Sequence, residues 1–473
     1  MRDVLWVARA EWRELWRDGR LALAVSVLAA LFAGAALVTF VEVRAFAGHQ
    51  RAAQQATRTQ WETQEDKNPH SAAHFGTYAF KTPSALAFLD RGIDAYAGIA
   101  VWIEAHKQNP MLFRPASDGS AAIRFGTLTP ALVAQDLMPL LLLALAALSV
   151  SRDRESGLLR QLQATGLSLR RLMLGRLLAL VVLAVGVALP GVALALAVVD
   201  TASIVVPGAE TWARAGLWIA VHLVYWLILL VLGVSLSAVA RSPRRALSLS
   251  CGAWLLVAIV APRLAVEVAV WRHPVPDGTA FAAAVARDLA GGADGHDTSS
   301  ARAAAVRDQA LARYAVSDAA DLPIDLAGLV LQAGEEYGNE VFDRHHAALW
   351  AQHAAQDRWL RAVGWLAPRA PVQALSSALA GTDVAEHRHF TESAEHYRRE
   401  LNRRMNLAVA YRGTAAQPFV AGRDFWAETP DFTYRPRTLG EVVDDQHLAF
   451  LTLAAWAFAA AAAWGWSTRE VAR

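Results

Sequence analysis

The stretch LMPLLLLALAALSVSRDRESGLLRQLQATGLSLRRLMLGRLLALVVLAVGVALPGVALALAVV, residues 137–199, decides the fold. It consists of two long apolar runs separated by a short patch of arginines, acids and glycines. A helix that crosses a membrane needs about 20 mostly apolar residues, because hydrocarbon offers no partner to backbone N–H and C=O groups. Both runs meet that requirement, and the patch is too short to be a domain. We therefore predict two spans joined by a polar contact segment.

The composition of the whole chain supports a membrane protein. Of the 473 residues, 55% are hydrophobic, which exceeds the apolar share of an ordinary globular domain. The mean hydropathy is also positive, at +0.26. The net charge of +2 provides no basic face for nucleic acid. Cys251 is the single cysteine, so the chain contains no internal disulfide and no cysteine-rich metal site.

Six segments are long and apolar enough to span a membrane. They are residues 21–43, 128–150, 172–199, 213–240, 247–271 and 448–466. The third contains Pro190 and Gly191, which a membrane helix accommodates as a kink. The predicted fold class is an all-α membrane protein with six transmembrane helices.

The positions of the arginines predict the orientation of these helices, because short cytoplasmic loops retain Lys and Arg. Arginines are concentrated in residues 1–20, in the patch 151–171, in the turn 241–245, and at Arg469 and Arg473. All four segments fall on one side, which places both termini in the cytoplasm. Residues 44–127 and 272–447 then form two large periplasmic insertions, which we expect to be mainly helical.

The N-terminal segment 1–20 has the pattern of an amphipathic helix. Apolar residues, including Trp12 and Trp16, recur at helical spacing, while arginines, including Arg13, form a second stripe. Such a helix lies in the membrane interface with its apolar face toward the lipid. The alternative is a solvated basic leader, but tryptophan side chains are costly to leave in water.

The insertions contain histidines but no recognisable catalytic motif. Neither a GxSxG elbow nor an HExxH helix is present. The weak metal candidates are His387, His389 and His396, because closely spaced imidazoles can bind a divalent ion. Solvated histidines are the interpretation we favour, since helices rich in Ala and Arg often carry them. We therefore assign no metal site from the sequence and expect no enzyme activity in this chain.

The chain has no visible site for ATP. A P-loop requires GxxxxGK[ST], with a lysine that reaches the terminal phosphates. The three lysines of this chain, Lys67, Lys81 and Lys107, all lie in the first insertion. Energy for any transport is therefore expected from another subunit, which would hold the ATP and Mg²⁺.

The charged patch resembles the signature of ABC-2 type permeases, which is commonly written RExGTL. The matching residues are 154–159, with Leu158 in the place of the usual threonine. In that family this loop is similar to a coupling helix that fits a cleft on a separate ATPase subunit, and segment 1–20 resembles the family's elbow helix. The resemblance implies an ATPase-coupling interface made by Arg152, Arg154, Glu155, Gly157, Leu158, Leu159 and Arg160.

The two large insertions resemble those of the subgroup that carries a DUF3526 domain. The residues that carry this resemblance are 367–406 and the segment FTYRP, residues 432–436. Membership would imply an exporter in a bacterial inner membrane, with two ATP-binding subunits and a second permease half that is either identical or different. The substrate does not follow from the sequence.

Two other functions remain open. The spans could serve only to anchor a periplasmic binding or assembly module, in which case no ATPase partner would be needed. The histidines alone suggest a metal-linked maturation transporter, similar to the nitrous-oxide-reductase accessory permeases of the same superfamily.

Overall fold

The computed structural model describes residues 1–17, 19–114, 127–201, 208–290 and 299–470. Most of these residues are helical. Parts of the two predicted insertions, residues 202–207 of the link 200–212, and Arg473 lie outside the described residues. The prediction that Arg473 lies on the cytoplasmic side therefore concerns a residue outside this range.

Six helical segments are long and apolar enough to cross a membrane, as predicted. Spans one to six are Leu21–Glu62, Pro130–Ser156, Leu169–Ala197, Ala209–Val239, Pro243–Arg272 and His447–Arg469. The chain is thus a multi-pass membrane protein.

The chain begins with two helices, α1 (Arg2–Arg17) and α2 (Gly19–Glu62). Helix α2 continues well past Val43, where the predicted span ends. The continuation is rich in Ala, Arg and Gln, which favour helix, and no proline occurs before Pro69. The apolar run therefore marks the membrane part of this helix but not its end.

A small antiparallel sheet follows and was not predicted. Helix α3 (Pro69–Phe75) is followed by β1 (Thr77–Phe80), β2 (Ala100–Glu104) and β3 (Lys107–Leu112), with a 3₁₀ turn at Gly92–Ala95. The strands pair in the order β1-β2-β3, with Thr77 opposite Ile103. The segments TYAF and AVWIE are rich in residues that favour strands. The expectation of a mainly helical first insertion is corrected accordingly.

Spans two to five follow the first insertion along the chain, and spans two and four are the most buried of the six. Span two contains a turn at Pro130–Leu132, a π-helical segment Val133–Leu137, α4 (Met138–Ser149) and α5 (Ser151–Ser156). After α6 (Leu158–Ala164) come α7 (Leu169–Thr201), α8 (Ala209–Val239) and α9 (Pro243–Trp254). A second π-helical segment, Leu255–Val260, leads into α10 (Ala261–Arg272).

The remaining helices belong mostly to the second insertion. They are α11 (Gly278–Ala290), α12 (Ala301–Tyr314), α13 (Leu326–Val363), α14 (Arg369–Ala380), α15 (Val384–Arg412), α16 (Arg423–Glu428) and α17 (Leu439–Asp445), with a 3₁₀ turn at Ala319–Asp321. The last helix, α18 (His447–Glu470), is span six.

The two insertions fold together into one lobe, defined here as the described residues of 44–114 and 273–446. Its core contains Trp61 from the end of α2, Ile103 from β2, and Phe390 and Trp426 from the second insertion. Lys67 N donates to Ala421 O at 3.0 Å, which joins the two insertions through the backbone. A second core fills the bundle around Trp218 and Tyr225 and extends to lobe residues such as Phe88 and Leu375.

Candidate functional site

The predicted contact segment, residues 151–171, contains two short helices with a glycine between them, and the first of these helices is the end of span two. Helix α5 ends at Gly157, which has φ +80° and therefore lies in the left-handed region that favours glycine. Helix α6 follows immediately, and its Leu159 is buried. Residues 151–156 of the charged patch are thus helical, and the α-helical runs are interrupted at Val150 and at Gly157.

A buried group of three charges connects this loop to the rest of the bundle. Arg176 of α7 donates from Nη1 to Glu11 Oε2 of α1 at 2.7 Å and from Nη2 to Asp153 Oδ2 of α5. All three side chains are about nine-tenths buried. Burial raises the pKa of Glu11, while the charge of Arg176 opposes that rise. Three separate segments therefore meet at one guanidinium group.

The same loop is also tied to the end of span four. Ser237 Oγ of α8 accepts hydrogen bonds from the backbone N–H groups of Val150 and Ser151, each at 3.0 Å, and donates to Ala147 O at 2.7 Å. Arg154 donates to the carbonyl of Ala238. The base of the loop is therefore held on both α7 and α8.

The predicted interface residues divide into an outward and an inward set. Arg152, Glu155, Leu158 and Arg160 are exposed. Arg154 and Leu159 instead turn toward the bundle, where they hold the loop in place. The exposed set presents charges of both signs and one leucine on the outer surface of α5 and α6.

The predicted elbow helix, α1, packs across the beginning of α7. A Cβ added at Gly175 would lie 2.5 Å from Cβ of Val7, so the two helices touch closely at this point. Trp12 is half-buried against the bundle core and meets Trp16 edge-to-face, with ring centroids 5.7 Å apart. Trp16 and Arg13 are exposed.

Sequence reasoning missed Glu11, Asp153 and Arg176 as a connected group. One signal was available, because Glu11 follows Ala8 by three residues and precedes Leu15 by four, which places an acid on the apolar stripe of the leader. The partner lies 165 residues away along the chain. No local pattern connects the two.

A cavity of about 590 Å³ lies between the lobe and the nearby ends of the spans. Its lining includes Asp90, Asp136, Trp350, Arg369 and Arg388. Arg369 binds Asp136 through two hydrogen bonds, Nε–Oδ1 at 2.5 Å and Nη2–Oδ2 at 2.9 Å. Burial raises the pKa of Asp90, and a hydrogen bond from Ser376 at 2.6 Å opposes the rise. Acidic and basic side chains thus line the cavity together with apolar ones, and Asp136 is paired with Arg369.

The three histidines singled out as weak metal candidates do not meet. His387 is largely enclosed, and burial lowers its pKa to about 4. Nε2 of His389 lies 3.0 Å from the carbonyl of Arg435, and the exposed His396 lies 3.2 Å from Glu400. All three lie on α15, but His387 and His389 are two positions apart and cannot share a face.

A different trio of histidines does come together in the lobe. His70 and His74 of α3 and His106 of the β2–β3 turn each offer a ring nitrogen, and these nitrogens lie within 4.8 Å of one another. Sequence reasoning missed this group. The HxxxH spacing of residues 70–74 was a usable signal, whereas His106 becomes a neighbour only through the fold.

A buried ionic group lies beside this trio. Glu335 of α13 is within 2.8 Å of His106 Nδ1 and 3.0 Å of Arg398 Nη1. Arg398 of α15 also binds Glu395 at 2.8 Å. Burial alone would raise the pKa of Glu335, but the hydrogen bonds from His106 and the charge of Arg398 outweigh burial and hold the pKa at about 2. This carboxylate is therefore ionised at neutral pH.

Among the described residues, six helices are long and apolar enough to cross a membrane, and a folded lobe is attached to them. This arrangement defines a multi-pass membrane protein. Within the lobe, residues 279–435 match the model of a domain of unknown function, DUF3526. The predicted DUF3526 segment is thereby confirmed, and it occupies about a third of the chain. No curated protein and no solved structure matches the chain significantly.

Proposed function

We propose that this chain is the permease subunit of an ABC-2 type exporter, energised by a separate ATP-binding subunit through the loop 151–171. The observation that carries the proposal is the arrangement of this loop: an exposed charged surface stands on a buried ionic anchor. Exposed Glu155 and Leu158 are available to a partner, while Arg176 and Ser237 hold the base. A loop whose arginines serve only to fix the orientation of the spans in the membrane needs no such anchor.

The anchor suggests how movement at the loop would reach the membrane. A partner that shifts α5 and α6 pulls on Asp153, and through Arg176 on α7 and α1. It also pulls on the backbone at Val150 and Ser151, and through Ser237 on α8. Packed elements joined by such contacts move as rigid units rather than deforming continuously. Closure of the partner would thus reorient spans three and four together.

The proposed assembly contains two ATP-binding subunits and a second permease half, either identical or different, in a bacterial inner membrane. ATP and Mg²⁺ would bind in the partner subunits, where hydrolysis would occur, and this chain would carry no cofactor and no nucleic acid. The arginines near the loop support a cytoplasmic position for it by the positive-inside rule, and the proposed lobe would then lie in the periplasm.

The test is to co-purify the chain with its candidate ATPase and measure subunit retention and ATP turnover. Reversing the exposed Glu155 to Lys should leave the spans inserted but reduce retention or transport-coupled turnover at least tenfold. Glu14→Lys is the matched control, because Glu14 is an exposed acid at the same end of the bundle. Normal assembly and turnover in Glu155→Lys would refute the coupling function.

A second function has one specific observation in its favour. The cavity of about 590 Å³ between lobe and spans has the size and the convergent polar groups of a small-molecule site. A membrane-anchored binding module would use this cavity without any ATPase. That function would be favoured over transport if the purified chain bound a ligand and no ATPase co-purified with it.

A further inference from the structure

We propose that His70, His74 and His106 form a binding site for a divalent transition-metal ion. The proposal concerns the lobe alone and does not depend on the permease function. One ring nitrogen from each histidine lies within 4.8 Å of the other two. Ligand nitrogens around a tetrahedral Zn²⁺ lie roughly 3.4 Å apart, since Zn–N bonds are about 2.0–2.1 Å long. The three rings are thus close to the separation that one shared ion requires.

The backbone fixes the positions from which these rings project. Helix α3 begins with Pro69 and is capped by Asn68, whose side chain accepts a hydrogen bond from His70 N at 2.8 Å. His70 and His74 are one turn apart and therefore share a face of the helix. His106 occupies the β2–β3 turn at φ +64°, and Ala105 N donates to Ala73 O at 3.0 Å. That bond holds the turn against α3.

The first supporting contact is a carboxylate behind His106. Glu335 Oε1 lies 2.8 Å from His106 Nδ1 and accepts a second hydrogen bond, at 2.7 Å, from the backbone N–H of the same residue. Nδ1 of His106 is therefore the donor, which leaves Nε2 with a lone pair. A carboxylate that accepts a proton from a histidine in this way is the usual support of a metal-ligating imidazole.

The second supporting contact is an amide behind His70. Asn406 Oδ1 lies 2.8 Å from His70 Nδ1. The amide is oriented by its other end, since Asn406 Nδ2 donates to Gln332 Oε1 at 3.3 Å. His70 thus donates through Nδ1, and Nε2 is again the nitrogen that can bind an ion. Two of the three rings are held in the same tautomer by separate partners.

The ligand set indicates the class of ion. Neutral imidazoles suit Zn²⁺, Cu²⁺ and Ni²⁺, whereas Ca²⁺ and Mg²⁺ require oxygen ligands. His70 is buried, His106 is half-buried and His74 is exposed, so an ion held here would be reached by solvent from the side of His74. Three protein ligands leave a fourth position for water or for a donor atom of another molecule.

Zn²⁺ binding to the full chain in detergent tests the proposal. The protein should carry no histidine tag and should be treated with a chelator before equilibrium dialysis against Zn²⁺ and metal analysis. We expect one Zn²⁺ per chain. His74→Ala should weaken binding at least tenfold and leave the fold intact, because the His74 side chain is exposed. Glu335→Gln should weaken binding by about 10- to 100-fold, as for other supporting carboxylates.

The matched control is His396→Ala, which removes an exposed histidine of the same lobe outside the trio. This variant should bind Zn²⁺ as the natural chain does. Two results would overturn the proposal: no retained Zn²⁺ in the natural chain, or equal retention in the natural chain and in His74→Ala. Either would make the trio a packing group without an ion, since the rings of His70 and His74 meet edge-to-face with their centroids 4.7 Å apart.

Discussion

Two buried arginines, Arg176 in the bundle and Arg398 in the lobe, each lie between two carboxylates, yet they connect different things. Arg398 joins Glu335 and Glu395, which lie on the adjacent long helices α13 and α15. Arg176 joins Glu11 and Asp153, which belong to the N-terminal helix and to the loop. One arginine stiffens a packed domain, and the other ties together three segments at the edge of the bundle.

The two arginines also differ in burial, and the one inside the packed lobe is the more buried. The Arg398 side chain is 1% exposed, whereas that of Arg176 is 10% exposed. Breaking a buried ion pair on one side is strongly destabilising, although the intact pair itself adds little net stability. The comparison teaches that such ionic groups fix the positions of the segments they join. Arg398 holds Glu335 behind the histidine trio, and Arg176 holds the loop through Asp153.

The largest effect is expected from Arg398→Met, which leaves Glu335 and Glu395 buried without their cation. The free energy of unfolding of the lobe should fall by about 3–5 kcal/mol. Thermal unfolding of the purified chain measures the change. Arg399→Met is the control, because Arg399 is partly exposed and its loss should cost about 1 kcal/mol or less. Equal effects of the two substitutions would contradict the assigned difference in burial.

The next effect concerns a buried carboxyl with a weaker cationic partner. Burial raises the pKa of Asp383 to about 6, from an ordinary value of 3.8, and Arg437 at 3.8 Å only partly opposes the rise. Because the folded state holds this proton more tightly, the stability contributed by Asp383 falls as the pH rises from 3.8 to 6 and stays low above that range.

Asp383→Asn removes the penalty and keeps the cap of α15, since Asn also accepts the hydrogen bond from Glu386 N. The variant should be more stable than the natural chain at pH 8 by up to roughly 3 kcal/mol and equally stable near pH 4. Thermal unfolding at both pH values measures this. A stability difference that does not change with pH would contradict the raised pKa.

Arg176→Met should have a smaller effect on stability, about 2 kcal/mol, between the limits for exposed and buried pairs. Its main result should be release of α1 from α7, seen as faster proteolysis of the N-terminal segment, while the lobe unfolds at an unchanged temperature. Adding Glu11→Gln and Asp153→Asn should restore protection, because no unpaired charge then remains buried. An N-terminal segment that is cleaved no faster in Arg176→Met than in the natural chain would contradict the ionic anchor.

These residues also show what the sequence could predict. The six spans were predictable because lipid requires about 20 apolar residues in each, and the positive φ at Gly157 was predictable from a glycine within a charged patch. Glu11 and Arg176 could not be paired from the sequence because the contact joins distant segments. The sheet escaped prediction for a related reason, since its short strands are defined mainly by their pairing.

The histidine trio likewise combines a local contact that the sequence could predict with a distant one that it could not. His70 and His74 form a local pattern that sequence reasoning could have used, but His106 joins them only when the β2–β3 turn packs on α3. Of the three histidines singled out instead, His387 and His389 project from different faces of α15, while His389 and His396 share a face but lie two turns apart. Only residues three or four positions apart are direct neighbours on a helix surface.

The smallest effect is expected at Gly157. A side chain there would have nothing within 4 Å, so the cost of Gly157→Ala is backbone strain alone, about 1–2 kcal/mol. Gly157→Asn should cost less, because Asn tolerates the left-handed region. Thermal stability of the chain measures both, with Gly186→Ala in α7 as an unstrained control. Equal costs for Ala and Asn would show that φ is not the constraint.

The most direct test of the coupling function is to place a photo-crosslinking phenylalanine derivative at Leu158 in cells that contain the candidate ATPase. Leu158 is 41% exposed on the loop, and Tyr411, in the last turn of α15 in the lobe, is a similarly exposed control at 49%. Illumination should join the chain to the ATPase from position 158 and not from position 411. No adduct from position 158 in an active complex, or equal adducts from both positions, would contradict the account.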